Sequence, residues 1–208
     1  IGEIPEKWNI SEIGKEFIIG SGATPKRDKK EYYNGNIPWV KTTEIDYKLI
    51  TSTEESITDL GLKNSSTKKY PAGTLLVAMY GQGKTRGQAS FCLIDTYVNQ
   101  SVIVLRANQE KIEPLYLFYN LKYCYDELRH FSDSQSSRGS LTKGLMSIFK
   151  IRLVPIPQQK KNSKILYGLD EKILLNQKIN KILDEARSLI TNNNVSQLFL
   201  KSIYRQII

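Results

Sequence analysis

Read for apolar and polar positions, the chain falls into two regions of different rhythm. Up to about residue 157 the apolar residues come in short unbroken runs: Leu75-Leu76-Val77-Ala78-Met79, Phe91-Cys92-Leu93-Ile94 and Val102-Ile103-Val104-Leu105. Such runs, bounded by turn residues, fit strands buried on both faces. A shorter strand is expected at Ile37-Pro38-Trp39-Val40, and an extended segment over 1–11 around Ile4-Pro5 and Trp8. Residues 20–30 (GSGATPKRDKK) read as a loop and Tyr70-Pro71-Ala72-Gly73 as a turn. Residues 56–65 suggest a helical turn ending near Gly61. Glu113-Pro114 is a helix start, with proline in the first turn, and Leu117, Phe118, Leu121, Leu128 and Phe131 follow roughly on one face. Residues 132–140 (SDSQSSRGS) read as a polar loop, 141–149 as a short helix and Ile151–Val154 as a last strand.

Pro155 and Pro157 punctuate the chain and mark the expected boundary between a domain at 1–157 and a helical region at 158–208. From Ser163 the pattern is that of one long helix, about 43 Å over 163–191 at ~1.5 Å per residue. Leu175, Ile179, Ile182, Ala186 and Leu189 are spaced by four, three, four and three, a heptad seam of the kind that packs against another helix. Asn192-Asn193-Asn194 interrupts it, and Val195, Leu198, Phe199, Ser202, Ile203 and Ile207 resume an amphipathic face. The seam either folds back on that terminal helix or meets another subunit or a second copy, and the second outcome is expected. The fold class is α+β: a strand-rich domain with peripheral helices, followed by a long helical spacer of coiled-coil type.

Composition narrows the chemistry. No apolar run approaches a membrane span and no basic-then-apolar leader opens the chain, so a cytoplasmic protein is expected. Cys92 and Cys124 lie in apolar context and read as reduced, buried thiols. His130 is the only histidine, too few for a zinc site, a histidine triad or a di-metal centre. No metal or cofactor is expected. The 30 Lys and Arg against 21 Asp and Glu give a net charge of +9. Residues 1–162 carry 23 basic and 17 acidic groups, residues 163–208 carry 7 and 4. The excess points to a polyanion, and nucleic acid is the commonest. The positive residues of the first region gather in loop-like stretches: Lys26, Arg27, Lys29 and Lys30; Lys84 and Arg86; Arg138 and Lys143.

Ala78–Thr85 (AMYGQGKT) matches the relaxed phosphate-loop spacing after a strand. That motif must open a helix whose amino end holds the phosphates. Here Gly87 follows at once and Phe91 begins the next strand, so nucleotide hydrolysis is excluded as the leading reading. A glycine-rich hairpin tip carrying Lys84, Thr85 and Arg86 suits phosphate-backbone contact instead. Asp170-Glu171-Lys172 lies on the long helix and reads as a solvated charged face.

The order of several segments resembles the specificity subunits of type I restriction–modification systems. Ile1–Trp8 (IGEIPEKW) resembles the opening of a target-recognition domain in that family, and Gly22-Ala23-Thr24-Pro25 its Gly-x-Thr-Pro loop. Tyr33–Val40 (YNGNIPWV) is similar to its Tyr-x-Gly-x-Ile-Pro-Trp segment. Pro71–Leu76, the later Gly81 and Gly87, and Asn99-Gln100 resemble its strand, glycine tip and Asn-Gln motif. Residues 141–157 and the helix beyond resemble the close of the domain and its spacer. The family's Pro-x-x-x-Glu-Gln entry to the spacer reads Pro157-Gln158-Gln159-Lys160-Lys161 here, with no Glu. Whole subunits of this kind carry two recognition domains and two spacers; this chain shows one of each.

The resemblance implies a recognition domain at 1–157, a spacer and dimerisation region at 158–208, and sequence-specific binding of duplex DNA without chemistry of its own. It implies modification (methyltransferase) subunits and a restriction subunit as partners, and a two-part site. The chain is then either a half-subunit that pairs with itself as a homodimer, through Leu175, Ile179, Ile182, Ala186 and Leu189, or one half of a longer protein. Lys26, Arg27, Lys29, Lys30, Lys84, Thr85 and Arg86 are candidates for phosphate contact. Lys41, Thr42, Gln82, Gln135 and Arg138 are candidates for base reading, since Arg and Gln pair bidentately with guanine and adenine edges. The alternatives are the recognition domain of a fused restriction–methylation enzyme and a nucleotide-binding enzyme built on Ala78–Thr85.

Overall fold

The computed structural model describes residues 8–81, 83–107, 112–135 and 139–192, the last three without their side chains. In chain order the elements are β1 (Asn9–Glu12), α1 (Ile13–Glu16), β2 (Phe17–Ser21), β3 (Tyr33–Val40), β4 (Leu49–Ile50), β5 (Glu55–Ile57), α2 (Asp59–Lys63), β6 (Leu75–Ala78), β7 (Ala89–Cys92), β8 (Tyr97–Val98) and β9 (Val102–Ala107). Then come α3 (Pro114–Tyr123), α4 (Tyr125–Gln135), α5 (Lys143–Ile148), β10 (Lys150–Leu153) and α6 (Ile156–Asn192). The chain divides into two units, 1–164 and 165–208.

The unbroken apolar runs form the central strands of a five-stranded sheet ordered β2-β9-β6-β7-β4, antiparallel except for the β4–β7 pair. Their continuity follows from burial on both sides. Leu76, Ala78, Cys92, Val102 and Val104 join Val40, Ile45, Ile50 and Val98 in one core layer beneath the smaller sheet β5-β3-β8. Side chains alternate along a strand, so Leu75, Val77, Ile103 and Leu105 point the other way, and all four are buried. On that side Phe91 meets Phe118 of α3, with ring centroids 6.2 Å apart. Leu117, Leu121 and Leu128 bury with it on α3 and α4. The Cys92 thiol lies between the sheets. Burial, with Glu44 nearby, pushes its pKa up to about 12, which keeps it protonated and unreactive.

Several expected boundaries shift. The strand at Ile37–Val40 starts earlier, at Tyr33, and carries a register shift between Tyr33 and Ile37. Gly61 does not end a helical turn. It lies buried inside α2, and its N–H donates to the capping Thr58 hydroxyl at 3.1 Å. The helix expected from Glu113 is two helices with a turn at Cys124, where ψ leaves the helical range at 18°. Residues 132–135 belong to α4 rather than to a loop, because Ser132 packs inward at 1% exposure. The long helix α6 begins at Ile156, which places Pro157 in its first turn, where a proline costs no hydrogen bond. Among the described residues, no helix is long and apolar enough to cross a membrane.

Gln159 joins the start of α6 to the body of its own unit. Its side chain is 1% exposed. It accepts from the Glu113 N–H at 3.0 Å and donates to the Val154 carbonyl at 2.7 Å. It thus satisfies the first free amide of α3 and the end of β10 together. Gln159→Leu leaves both backbone groups buried without a partner. The expected loss is about 2 kcal/mol, measured as the shift of the 1–164 unit's unfolding transition in urea; an unchanged midpoint counts against this role.

Candidate nucleic-acid interface

The pairing registers send several loops to one end of the five-stranded sheet. Ser21 at the close of β2 pairs with Ile103 at the start of β9, and Ala78 at the close of β6 pairs with Val102. Val77 pairs with Ala89 at the start of β7, and β4 runs parallel to β7. Segments 22–32, 41–48, 79–88 and 99–101 therefore emerge together. β2 and β6 stand two strands apart, about 10 Å. The order of strands, rather than proximity in sequence, gathers these residues.

Specific contacts join the segments. A side chain on Gly22 would place its Cβ 1.7 Å from the Val98 carbonyl oxygen, so only glycine lets this loop cross β8. Ala23 N–H then donates to Val98 O at 3.1 Å, and the Trp39 indole N–H donates to Ala23 O at 3.2 Å. The Tyr33 hydroxyl donates to Pro25 O at 2.5 Å, and the Thr24 hydroxyl donates to the Gln100 side chain. The Thr42 hydroxyl donates to Asn99 Oδ1 at 3.0 Å, and the Ser101 N–H donates to the same oxygen at 3.1 Å. Met79 N–H reaches Ser101 O at 3.0 Å, and Leu141 N–H reaches Met79 O at 2.9 Å. Residues 23–25, 42, 79, 99–101 and 141 thus form one bonded rim.

The cations on this rim fall into two groups. Lys26, Lys29, Lys30 and Lys84 are exposed and, among the described residues, form no ion pair. Arg27 and Lys41 are compensated. Arg27 lies 4.6 Å from the Tyr33 ring centroid and 4.9 Å from that of Trp39, with its guanidinium 2.6 Å from Glu55. Lys41 Nζ is 3.1 Å from both Glu54 and Glu55. Burial alone would raise the Glu55 pKa, but hydrogen bonds from Arg27 and Lys41 outweigh it and hold the carboxyl below its usual value.

Arg86 is a correction. It reads from sequence as an exposed phosphate contact at a hairpin tip, yet its side chain is 6% exposed and its Nη2 is paired with Asp133 of α4. A guanidinium turned inward against a carboxylate is not presented to a phosphate. Thr85 is half-buried, its carbonyl accepting from Gln88 N–H at 2.9 Å. Gln135 is exposed but closes α4 instead of lying in a loop. Thr42 spends its hydroxyl on Asn99. Gln82 and Arg138 lie outside the described residues. β7 begins at Ala89, four residues after Thr85, so no helix follows the phosphate-loop-like stretch.

Sequence reasoning missed two features of the rim. Asn99 and Gln100, which the sequence shows only as a motif, knit its loops together. Tyr80, 51% exposed between the buried Met79 and the glycines, offers an aromatic face. Alternation along β6 does not predict the exposed ring, because Tyr80 lies beyond the last ladder bond.

A family model described as the type I restriction modification DNA specificity domain matches residues 5–185. The putative type I restriction enzyme MjaX specificity subunit of Methanocaldococcus jannaschii is 27% identical over 98% of this chain and 48% of its own length. The EcoR124I/EcoR124II specificity subunit of Escherichia coli is 27% identical over 82% of this chain and 41% of its own length. The crystal structure of the type I restriction–modification S subunit from M. genitalium superposes with a TM-score of 0.66 at 18% identity. It covers 89% of this chain and 45% of that one. The chain spans about half the length of these relatives, or less.

The Glu55 pairs give the rim a pH limit. Because the folded pKa of Glu55 is lowered, the stabilisation is present above the unfolded value of about 4.3 and is lost as pH falls through the folded one. Carbon-13 NMR of the Glu55 carboxyl should show a midpoint below that of an exposed glutamate. Arg27→Gln should move it upward, and an ordinary midpoint in the unaltered chain would contradict the pairing.

Proposed function

Because the chain belongs to the type I restriction–modification DNA specificity family, we propose that it binds duplex DNA sequence-specifically, with no reaction of its own, and guides modification and restriction subunits to their site. The observation that carries this reading is the bonded rim at one sheet end, with four lysines that form no ion pair among the described residues and loops drawn from across the first unit. Lys26, Lys29, Lys30 and Lys84 contact phosphates and set register on the duplex. Base reading falls to the loop tips and to the exposed end of α4, for which Gln82, Arg138 and Gln135 have the appropriate side chains.

The spacer completes the proposal. Leu175, Ile179, Ile182 and Leu189 on α6 are 57%, 44%, 63% and 63% exposed within this chain, with Ala186 in the same seam. Relatives about twice as long have room for a second recognition domain and spacer. A second copy of this chain, paired through that seam, supplies the same pair by two-fold symmetry, so the DNA site has two related halves and a gap between them. The recognition domain covers 1–157 and the spacer 158–208.

Selection of bound duplexes from a random pool, using the full chain with its modification subunits, tests the reading. Enrichment of a two-part sequence supports it, and no enrichment refutes it. Lys84→Ala should weaken binding to all sequences alike and reduce the salt slope by about 0.9; a loss confined to one sequence would contradict phosphate contact. In light scattering the chain should show about twice its 23.8 kDa. Leu175→Asp with Ile182→Asp should halve that mass and leave the thermal transition of the first unit in place. A monomeric unaltered chain rules out self-pairing.

A further inference from the structure

Residues 83–87 of the β6–β7 hairpin tip are not held by its own ladder alone. α4 passes beneath it with Tyr125, Arg129 and Asp133 in one line, spaced by four residues and so on one helical face. Each of them takes hold of the tip. The Tyr125 hydroxyl donates to the Lys84 carbonyl at 2.6 Å. Arg129 Nη1 donates to the Gly83 carbonyl at 2.9 Å and to the Arg86 carbonyl at 3.3 Å. Asp133 accepts from the inward-turned Arg86 guanidinium.

Further contacts steady this line. The Tyr47 ring meets Tyr125 edge-on at 5.8 Å, and the Arg129 guanidinium lies 5.9 Å from the Tyr125 ring centroid. Gly87 has φ +84°, a conformation open to glycine, which brings the tip down beside Leu128 and Arg129. Carbonyls of the tip are thereby satisfied from below, while Tyr80 and Lys84 remain exposed. Arg129 would count as a DNA-facing cation by charge alone, but its bonds point into the protein.

We propose that Tyr125, Arg129 and Asp133 are positioning residues that fix residues 83–87 of the tip before DNA arrives. They raise affinity by removing the cost of ordering the loop, without touching phosphate or base. This rests on the DNA-binding reading above and adds to it a support that the duplex never meets.

The test uses the full chain with its modification subunits and the sequence selected from the random pool. Tyr125→Phe removes one hydroxyl and keeps the ring, so the fold is retained. It should weaken binding about five-fold, and Arg129→Met about ten-fold. Both should leave the salt slope unchanged, unlike Lys84→Ala. Hydrogen exchange provides a readout free of DNA. The Gly87 and Gln88 amides, bonded to Ala78 O at 3.0 Å and Thr85 O at 2.9 Å, should exchange faster in both variants. A salt slope that falls with Arg129→Met as it does with Lys84→Ala would make Arg129 a phosphate contact and overturn the proposal. Unaltered affinity and exchange in both variants would overturn it too. An unaltered chain with no sequence preference would instead sink the DNA reading, and this inference with it.

Discussion

Protein covers both faces of the central strands of the five-stranded sheet, and the rest of the first unit is arranged around that fact. A strand with Leu76 and Ala78 against one layer and Leu75 and Val77 against another has no free side along its length. Burial of apolar area on both sides supplies the main stabilisation, and variable chemistry is confined to the strand ends. The registers then decide which loops share an end. Segments 22–32, 41–48, 79–88 and 99–101 share one because β2 and β6 close where β9 and β7 open. The rim is a product of topology, and its rigidity comes from backbone carbonyls and amides that have been paired across loops.

Two-sided burial was also the most legible property of the sequence. The three unbroken apolar runs became β6, β7 and β9, and Glu113-Pro114 opened α3 as a proline in the first turn should. What could not be read was tertiary. Gly61 reads as a helix stop by propensity, but its lack of a side chain serves packing: a Cβ there would come within 2.4 Å of the Tyr32 carbonyl. Ser132 and Asp133 read as loop because they are polar. They are helical because Ser132 is buried and Asp133 holds Arg86.

The same limit governed the site residues. Charge type is visible in sequence, but the direction of a side chain is not. Lys26, Lys29, Lys30 and Lys84 are exposed as their loop context implied. Arg86, only two residues from Lys84, turns inward to a carboxylate 47 positions later. Arg27 and Lys41 are anchored by glutamates that follow in β5 and its approach. Gln159 shows the converse. A polar residue in the first turn of α6, which reads as surface by type, proves to be a buried joint with both ends of its amide in use.

The Glu54 and Glu55 carboxylates have a kinetic meaning on such a surface. A protein that searches a long polyanion is slowed by every counterion it displaces at a wrong sequence, since those contacts ignore the bases. Arg27 and Lys41 arrive with their charge already balanced, so they add geometry to the rim without adding much indiscriminate grip. If the domain binds DNA as proposed, cations balanced in this way favour mobility along random sequence over residence on it, and leave the contrast between correct and incorrect sites to the loop tips.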